Sequence, residues 1–223
     1  MSRFRAAIFD MDGTLWDGEP LYHEAFNVVL APLGNRVTDE EYMTIIGSSV
    51  EDAWAWVIER FTLTGSPDGF YQAYDEAVLK LLAQPIEPLP GVRAFIDELR
   101  RRDMPVGLAS ADLRQWVDAA LRGLQLEDAF DVTVTASEVK RSKPAPDVYL
   151  AAAQALRVPA PSCLAFEDTS TGVASAKAAG MFAVQVRAAS TALPPLPQAD
   201  LVIESYAEFD LSMLDSPPPE VAS

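Results

Sequence analysis

The hydrophobic pattern changes character twice along the chain. Ala6 to Phe9 is a short, continuous apolar run, which predicts a buried strand that ends before the turn residue Gly13. From His23 onward the apolar residues recur at helical spacing. Ala25, Phe26, Val29, Leu30 and Leu33 share one face of a helix over His23–Leu33. Thr38 with Glu41 forms a capping box that opens a second helix, expected to run to about Gly47. Ser49 opens a third, carrying Trp54, Val57, Ile58 and Phe61. Ser66-Pro67 opens a fourth, through Tyr71, Tyr74, Val78, Leu81 and Leu82.

Beyond Glu87-Pro88-Leu89-Pro90-Gly91 the pattern changes again, to strands alternating with helices. Helices over Val92–Arg102, Leu113–Leu124, Asp147–Leu156 and Gly172–Ala179 lead to strands Val106–Ala109, Val132–Thr135, Cys163–Phe166 and Phe182–Val186. A last strand, Leu201–Ile203, precedes one short helix around Ala207–Leu214. Such alternation is the βαβ pattern of a parallel sheet. The polar stretch Trp16 to Pro20 reads as a hinge. The expected fold is therefore α/β: a Rossmann-like, doubly wound parallel sheet in a core domain of residues 1–17 and 88–214. An all-helical cap domain, residues 18–87, is inserted into it. The Pro-rich stretch 215–223 is expected to be a disordered tail.

Charge narrows the partners. With 17 basic against 33 acidic residues in 223, the formal charge is −16, a field that repels nucleic acid and anionic membranes. It would repel a phosphorylated substrate too, so a site for one must supply its own positive charge. Cys163 is the single cysteine, which leaves no internal disulfide and suits a reducing compartment. Asp10 interrupts the first apolar run too early for a signal peptide, and no apolar stretch approaches membrane-spanning length. A cytoplasmic protein is expected.

In open parallel sheets ligands bind beyond the carboxyl ends of the strands, and the candidate chemistry falls there. Asp10 and Asp12 stand two residues apart where the first strand runs out, so an extended backbone turns both carboxylates to one side. They repel unless a cation or proton is shared; an acidic turn capping the next helix is the alternative. Ser110 and Ala111 offer a hydroxyl and free amides to phosphate oxygens, or an ordinary helix cap. Lys143, stiffened by Pro144 and Pro146, holds an ammonium just ahead of a helix, or is a solvated lysine like its neighbours Lys140 and Arg141, which read as surface charge. Glu167-Asp168 follows the fourth strand. Together with the first acidic pair it makes a set of hard oxygen ligands for Mg²⁺, or else an N-cap pair favoured by the helix dipole.

These strings resemble, in order, the four motifs of the haloacid dehalogenase-like phosphotransferases. They are Phe9-Asp10-Met11-Asp12-Gly13-Thr14-Leu15 with Asp17, then Ser110, then Lys143-Pro144-Ala145-Pro146-Asp147. The fourth is Phe166-Glu167-Asp168 with Gly172, Ala176 and Ala179-Gly180-Met181. The resemblance spans Phe4 to about Leu214. The helical insertion resembles the small cap of the subgroup holding phosphoglycolate phosphatase, sugar-phosphate phosphatases and β-phosphoglucomutase.

The resemblance implies that Asp10 is a nucleophile forming an aspartyl-phosphate and that Asp12 is its general acid and base. Lys143 would be catalytic and phosphate-binding, with Thr14, Ser110 and Ala111 around the phosphoryl group. Mg²⁺ would be held by Asp10, the Asp12 carbonyl and Asp168, with Glu167 beside it or bound through water. The cap would close over the site. The expected activity is Mg-dependent hydrolysis of a small phosphomonoester, a sugar phosphate or a phosphoglycolate-like metabolite.

A phosphotransferase like β-phosphoglucomutase is the alternative. Those mutases place a histidine where Tyr22 stands, and after Gly-x-Ser an arginine that grips a second phosphate; here that string is Gly47-Ser48-Ser49-Val50. A dehalogenase lacks the second aspartate, and a non-catalytic member would have lost one of the acids. Tyr22, His23, Trp54 and Trp56 are candidates either for contacting substrate or for packing the cap.

Overall fold

The computed structural model describes residues 4–189 and 194–215. The chain divides into two compact units, one made of residues up to Asp17 with those from Ile86 onward, the other of Gly18–Pro85. The stretch 216–223, which holds all of the expected tail except Asp215, lies outside the described residues.

The Gly18–Pro85 unit is helical: α1 (Glu19–Leu30), α2 (Asp39–Tyr42), α3 (Val50–Phe61) and α4 (Pro67–Leu82). Its interior is aromatic. Phe26 lies 5.0 Å from Trp54 and 4.5 Å from Tyr74, ring centre to centre, and Trp54 stacks on Phe70. One turn apart on α1, His23 and Asn27 hold the incoming backbone: His23 Nε2 lies 2.8 Å from the Val37 carbonyl, and the Val37 amide donates to Asn27 Oδ1.

Two details differ from the sequence expectation. Helix α1 starts at Glu19, inside the expected hinge, because Pro20 falls in the first turn, where a missing N–H costs nothing. The capping box of Thr38 and Glu41 forms, yet α2 stops at Tyr42 and does not run to Gly47. Beyond it the Thr44 and Ser48 hydroxyls bond back to the carbonyls of Glu41 and Ile45, competing with the helical ladder.

In the other unit the strands are β1 (Ala6–Phe9), β2 (Val106–Ser110), β3 (Val132–Thr135), β4 (Cys163–Glu167), β5 (Phe182–Val186) and β6 (Leu201–Ile203). They form one sheet in the order β3-β2-β1-β4-β5-β6, every neighbouring pair parallel. β1 is thus central, with Phe9 opposite Leu108 on one side and Phe166 on the other. Burial on both faces explains why β1 and β4 read as continuous apolar runs.

The helices are α5 (Val92–Arg101), α6 (Arg114–Gly123), α7 (Asp147–Ala155) and α8 (Ser170–Ala178). The two faces of the sheet are built differently. On one, Phe9 and Phe166 stack 4.7 Å apart and meet Phe95 of α5, with Tyr206 and Phe209 close by. On the other, Ile8, Ala109 and Ala165 pack with small residues of α7 and α8, among them Ala152, Ala153, Val173 and Ala176.

The expected helix at Ala207–Leu214 is instead two 3-10 turns, Tyr206–Glu208 and Leu211–Leu214. Phe209 and Asp210 between them are extended, and the Asp210 side chain caps the second turn by accepting from Ser212 N. Among the described residues no helix is long and apolar enough to cross a membrane.

Candidate active site

The register of the sheet builds the site. One residue past β1, the Asp10 amide donates to the Phe166 carbonyl at 2.9 Å, so Asp10 comes level with the end of β4. Asp10 is 7% exposed and Glu167 1%. The chain then turns tightly: Thr14 N and Leu15 N donate to the Met11 carbonyl, and Gly13 N to Trp16 O. Gly13 has φ +73°, and a Cβ there would overlap the Asp168 carboxylate. Glycine is required twice over, for the turn and for the close approach of β4's end.

Lys143 arrives from the loop ahead of α7. Its ammonium lies 2.5 Å from Asp10 Oδ1 and 2.6 Å from Glu167 Oε1. Glu167 Oε2 accepts from the amide and the hydroxyl of Thr169, so both of its oxygens are engaged. A Cβ on Gly172, in the first turn of α8, would overlap the Glu167 carboxylate; its absence makes the room that carboxylate occupies. The loop carrying Lys143 is pinned from the same helix, where buried Ser175 donates to the Ala145 carbonyl at 2.6 Å.

Carboxylate oxygens of Asp10, Glu167 and Asp168 come within 4.8 Å of one another. Three acids around one ammonium leave an excess of negative charge in a dry place. Burial first, and then the Glu167 charge, push Asp10 up to about 7 against the pull of Lys143. Burial, with Glu167 and Asp10 facing it, pushes Asp168 up to about 9. Burial alone would lower Lys143, but the Asp10 and Glu167 charges hold it well above the ordinary lysine value. Asp168 Oδ1 is buried and has no hydrogen-bond partner among the described residues. An unmet buried carboxylate oxygen beside two further carboxylates, hard donors throughout, fits a small divalent cation such as Mg²⁺.

The other expected residues fall as follows. Asp12 is half-buried beside this group, and its side chain is not one of the three clustered acids. Ser110, at the end of β2, is buried, and its hydroxyl donates to Asp112 and accepts from the Asp112 amide. It does not cap α6, whose N-cap is Leu113. Ala111 is exposed. Thr14 is fully buried: its carbonyl accepts from Tyr206, and its hydroxyl has no partner among the described residues. That hydroxyl is thus left with its hydrogen-bonding capacity unused. Arg141 pairs with Asp147 at the surface.

In the helical unit, Trp54 is fully buried in the aromatic interior, which removes it as a surface for substrate. Tyr22, His23 and Trp56 are partly exposed. His23 stacks on Tyr42 at 4.5 Å.

Sequence reasoning passed over four residues of this neighbourhood. Asp112 adds its charge to those that push Asp10 up. Thr169 orients Glu167, Ser175 pins the Lys143 loop, and the Tyr149 ring lies under the Lys143 ammonium. The buried serine in the otherwise small and apolar run Val173-Ala174-Ser175-Ala176 was the one local signal that could have found any of them.

Comparison with known proteins agrees with this geometry. The family model described as haloacid dehalogenase-like hydrolase matches residues 4–180. A fructose-1-phosphate phosphatase of Escherichia coli is 37% identical over 185 residues, 83% of this chain and 97% of that protein. Hexitol phosphatase B of the same species is 33% identical over 210 residues, 92% and 93% of the two chains. Among solved structures, CbbY from Rhodobacter sphaeroides in complex with phosphate superposes with a TM-score of 0.81 at 28% identity. That match covers 96% of this chain and 100% of the other.

Proposed function

The chain belongs to the haloacid dehalogenase-like hydrolase family, and from that premise we propose that it is a divalent-metal-dependent phosphatase of small phosphorylated sugars or sugar alcohols. The observation that carries the reading is the Lys143 ammonium bridging Asp10 and Glu167 beside the unmet Asp168 oxygen. The sugar-phosphate class rests on the relatives, which are named for fructose 1-phosphate and hexitol phosphates.

In this reading Asp10 Oδ2, the oxygen not bonded to Lys143, attacks phosphorus in line with the sugar oxygen. The phosphorus–oxygen bond of the ester breaks, and Asp12 gives its proton to the departing alkoxide. The aspartyl-phosphate so formed is opened by water attacking phosphorus. Asp12 takes the water's proton, and orthophosphate leaves with Asp10 regenerated. Lys143 neutralises the phosphoryl charge as a fixed cation, a role the net charge of −16 makes necessary. The Ala111 amide, the Thr14 hydroxyl and the Ser110 hydroxyl, once it turns from Asp112, take phosphoryl oxygens. Asp10, Asp168 and the Asp12 carbonyl would hold Mg²⁺, which would supply further charge neutralisation around phosphorus. With both oxygens engaged, Glu167 serves Lys143 and borders the metal site. The single cysteine suits work in the cytoplasm, and a formal charge of −16 repels nucleic acid as a partner.

The test is orthophosphate release from fructose 1-phosphate, hexitol phosphates and p-nitrophenyl phosphate, with Mg²⁺ and then with EDTA. Release that needs Mg²⁺ and prefers the sugar esters supports the reading; turnover undiminished by exhaustive chelation overturns the metal. Phosphorus NMR of β-glucose 1-phosphate decides against the mutase alternative. With Val50 and Tyr22 in place of an arginine and a histidine, free phosphate is expected and glucose 6-phosphate is not.

A further inference from the structure

Two carboxylates explain why Lys143 is drawn to the site but not what holds it once one of them is in use. Once Asp10 Oδ2 is bonded to phosphorus in the reaction proposed above, the Asp10 carboxyl no longer carries its own negative charge, and Glu167 is the carboxylate left to Lys143 among the described residues. A third group lies against the ammonium. Six residues after Lys143, in the first turn of α7, the ring of Tyr149 is centred 5.1 Å from Nζ. That is within the distance at which the negative face of an aromatic ring attracts a cation, and the attraction grows where water is excluded. Tyr149 is fully buried, and the side chain of Lys143 is only 5% exposed.

The surroundings of Tyr149 sharpen the point. It belongs to the layer of small residues under Ile8 and Ala165, with Ala152, Ala153, Val173 and Ala176. Its ring is the one aromatic side chain of that layer among the described residues; the others are alanines, branched aliphatics, Cys163 and Met181. Its hydroxyl is buried and makes no hydrogen bond of ordinary geometry among the described residues, although the Lys143 charge still acts on it. Ring and hydroxyl both belong to the surroundings of the ammonium, and the ring face lies within reach of it.

We propose that Tyr149 is a positioning residue for Lys143, its ring face fixing the ammonium between Asp10 and Glu167 and retaining it when Asp10 engages phosphorus. The inference rests on Lys143 being the cation that neutralises the phosphoryl group. It differs from that reading in assigning part of the placement to an aromatic face.

Fluorination tests it, because each fluorine weakens the ring's negative face while hardly altering its volume. Tyr149→Phe is made first, then phenylalanines carrying one, two and three ring fluorines are placed at 149 by nonsense suppression, with Lys143→Ala as reference. Tyr149→Phe is expected to keep kcat/KM within about twofold and not to lower Tm. Across the fluorinated series kcat/KM is expected to fall stepwise, by about fivefold at three fluorines, while Tm stays constant. A flat series overturns the proposal, as does a loss that follows Tm, which would mark a packing role. A Tyr149→Phe enzyme with little activity followed by a flat series also overturns it, in favour of the hydroxyl. If Lys143→Ala itself retains full turnover, the assignment of Lys143 has failed, and that result is separate from any failure at Tyr149.

Discussion

Along β1 and β4 the residues Ala6 to Phe9 and Cys163 to Phe166 are apolar, fully buried and paired in register. One residue further on, Asp10 and Glu167 are buried as well, and everything about them is different. Charges of one sign outnumber the cation between them, Asp168 Oδ1 has no hydrogen-bond partner among the described residues, and two glycines are needed for the groups to fit. The same sheet thus has an interior that satisfies every local preference and an end that violates several within a few residues. Such a concentration of unmet groups is where a fold gives up stability for chemistry. Substitutions at the strand ends should therefore change activity far more than stability, and substitutions inside the sheet the reverse.

The largest expected effect is at the nucleophile. Asp10→Asn should lower kcat by more than about 10³-fold, since an amide cannot form the acyl phosphate. It also removes one of three mutually repelling carboxylates, so Tm measured in EDTA should not fall. Full turnover in a purified sample would end the proposed chemistry, and a collapsed Tm would break the comparison of strand end with strand interior.

Next comes the metal. At 100 times its dissociation constant a bound ion adds about 2.7 kcal/mol, about 5–10 °C for a chain of this size. Mg²⁺ should raise Tm on that scale, and Asp168→Ala should abolish both the rise and the turnover. A Mg²⁺-induced rise that survives in Asp168→Ala would move the ion elsewhere.

Two glycines set the regions against each other directly. A Cβ on Gly172 overlaps the Glu167 carboxylate and must displace it from Lys143. Gly172→Ala should therefore cost on the order of 10²-fold in kcat. At Gly107, within β2, a Cβ meets the methyl ends of Leu156 and Val132, 3.1 and 3.2 Å away, and Ile8 at 3.6 Å. Gly107→Ala should lower stability by about 1–3 kcal/mol and leave kcat nearly unchanged. Equal losses of kcat at both positions would contradict the distinction.

How much of this was legible in the sequence follows the same line. The strands were read within a residue of their ends, because burial on both faces leaves uninterrupted apolar runs such as Ala6–Phe9 and Cys163–Phe166. Position beside a strand end or helix start made Asp10, Asp12, Lys143 and Glu167-Asp168 candidates, and the resemblance of the strings around them to the family's motifs singled them out. What joins them could not. Lys143 meets Glu167 across 24 residues of sequence and Asp10 across 133, and no local periodicity encodes a partner at that range. Tyr149 and Ser175 read as ordinary helix interior for the same reason. The helix boundaries at Glu19 and Tyr42 were missed where side chains act on the backbone: a proline in a first turn and hydroxyls bonding back to carbonyls.

Ser175→Ala tests one of these long-range ties. It removes a hydroxyl from the interior of α8, where alanine is the better helix former, and leaves the Ala145 carbonyl without its donor. The two effects oppose each other in stability, so Tm should move little. The Lys143 loop loses its pin, and kcat should fall a few-fold, the equivalent of about 1 kcal/mol of barrier. An unchanged kcat would show that Pro144 and Pro146 fix the loop unaided.

The smallest effect is expected at Cys163, in the same strand as Glu167 but at its other end. The thiol is fully buried, its Sγ lies 3.5 Å from the Pro159 carbonyl, and burial pushes it up to about 11. Only the thiolate reacts with an alkylating agent or an aromatic disulfide. At pH 8 the native thiol is therefore both protonated and covered, so labelling should await opening of β4. Cys163→Ala should leave kcat unchanged and cost a modest amount of stability. The labelling rate then reports how firmly the apolar end of the strand is closed, independently of anything that happens at Glu167. Saturating Mg²⁺ should slow labelling only as far as it lowers the whole unfolded population, that is, in proportion to its effect on Tm. Labelling of the native protein at the rate of an unfolded peptide would mean that the interior of the sheet is no more closed than its reactive end, and the contrast between the two would fall.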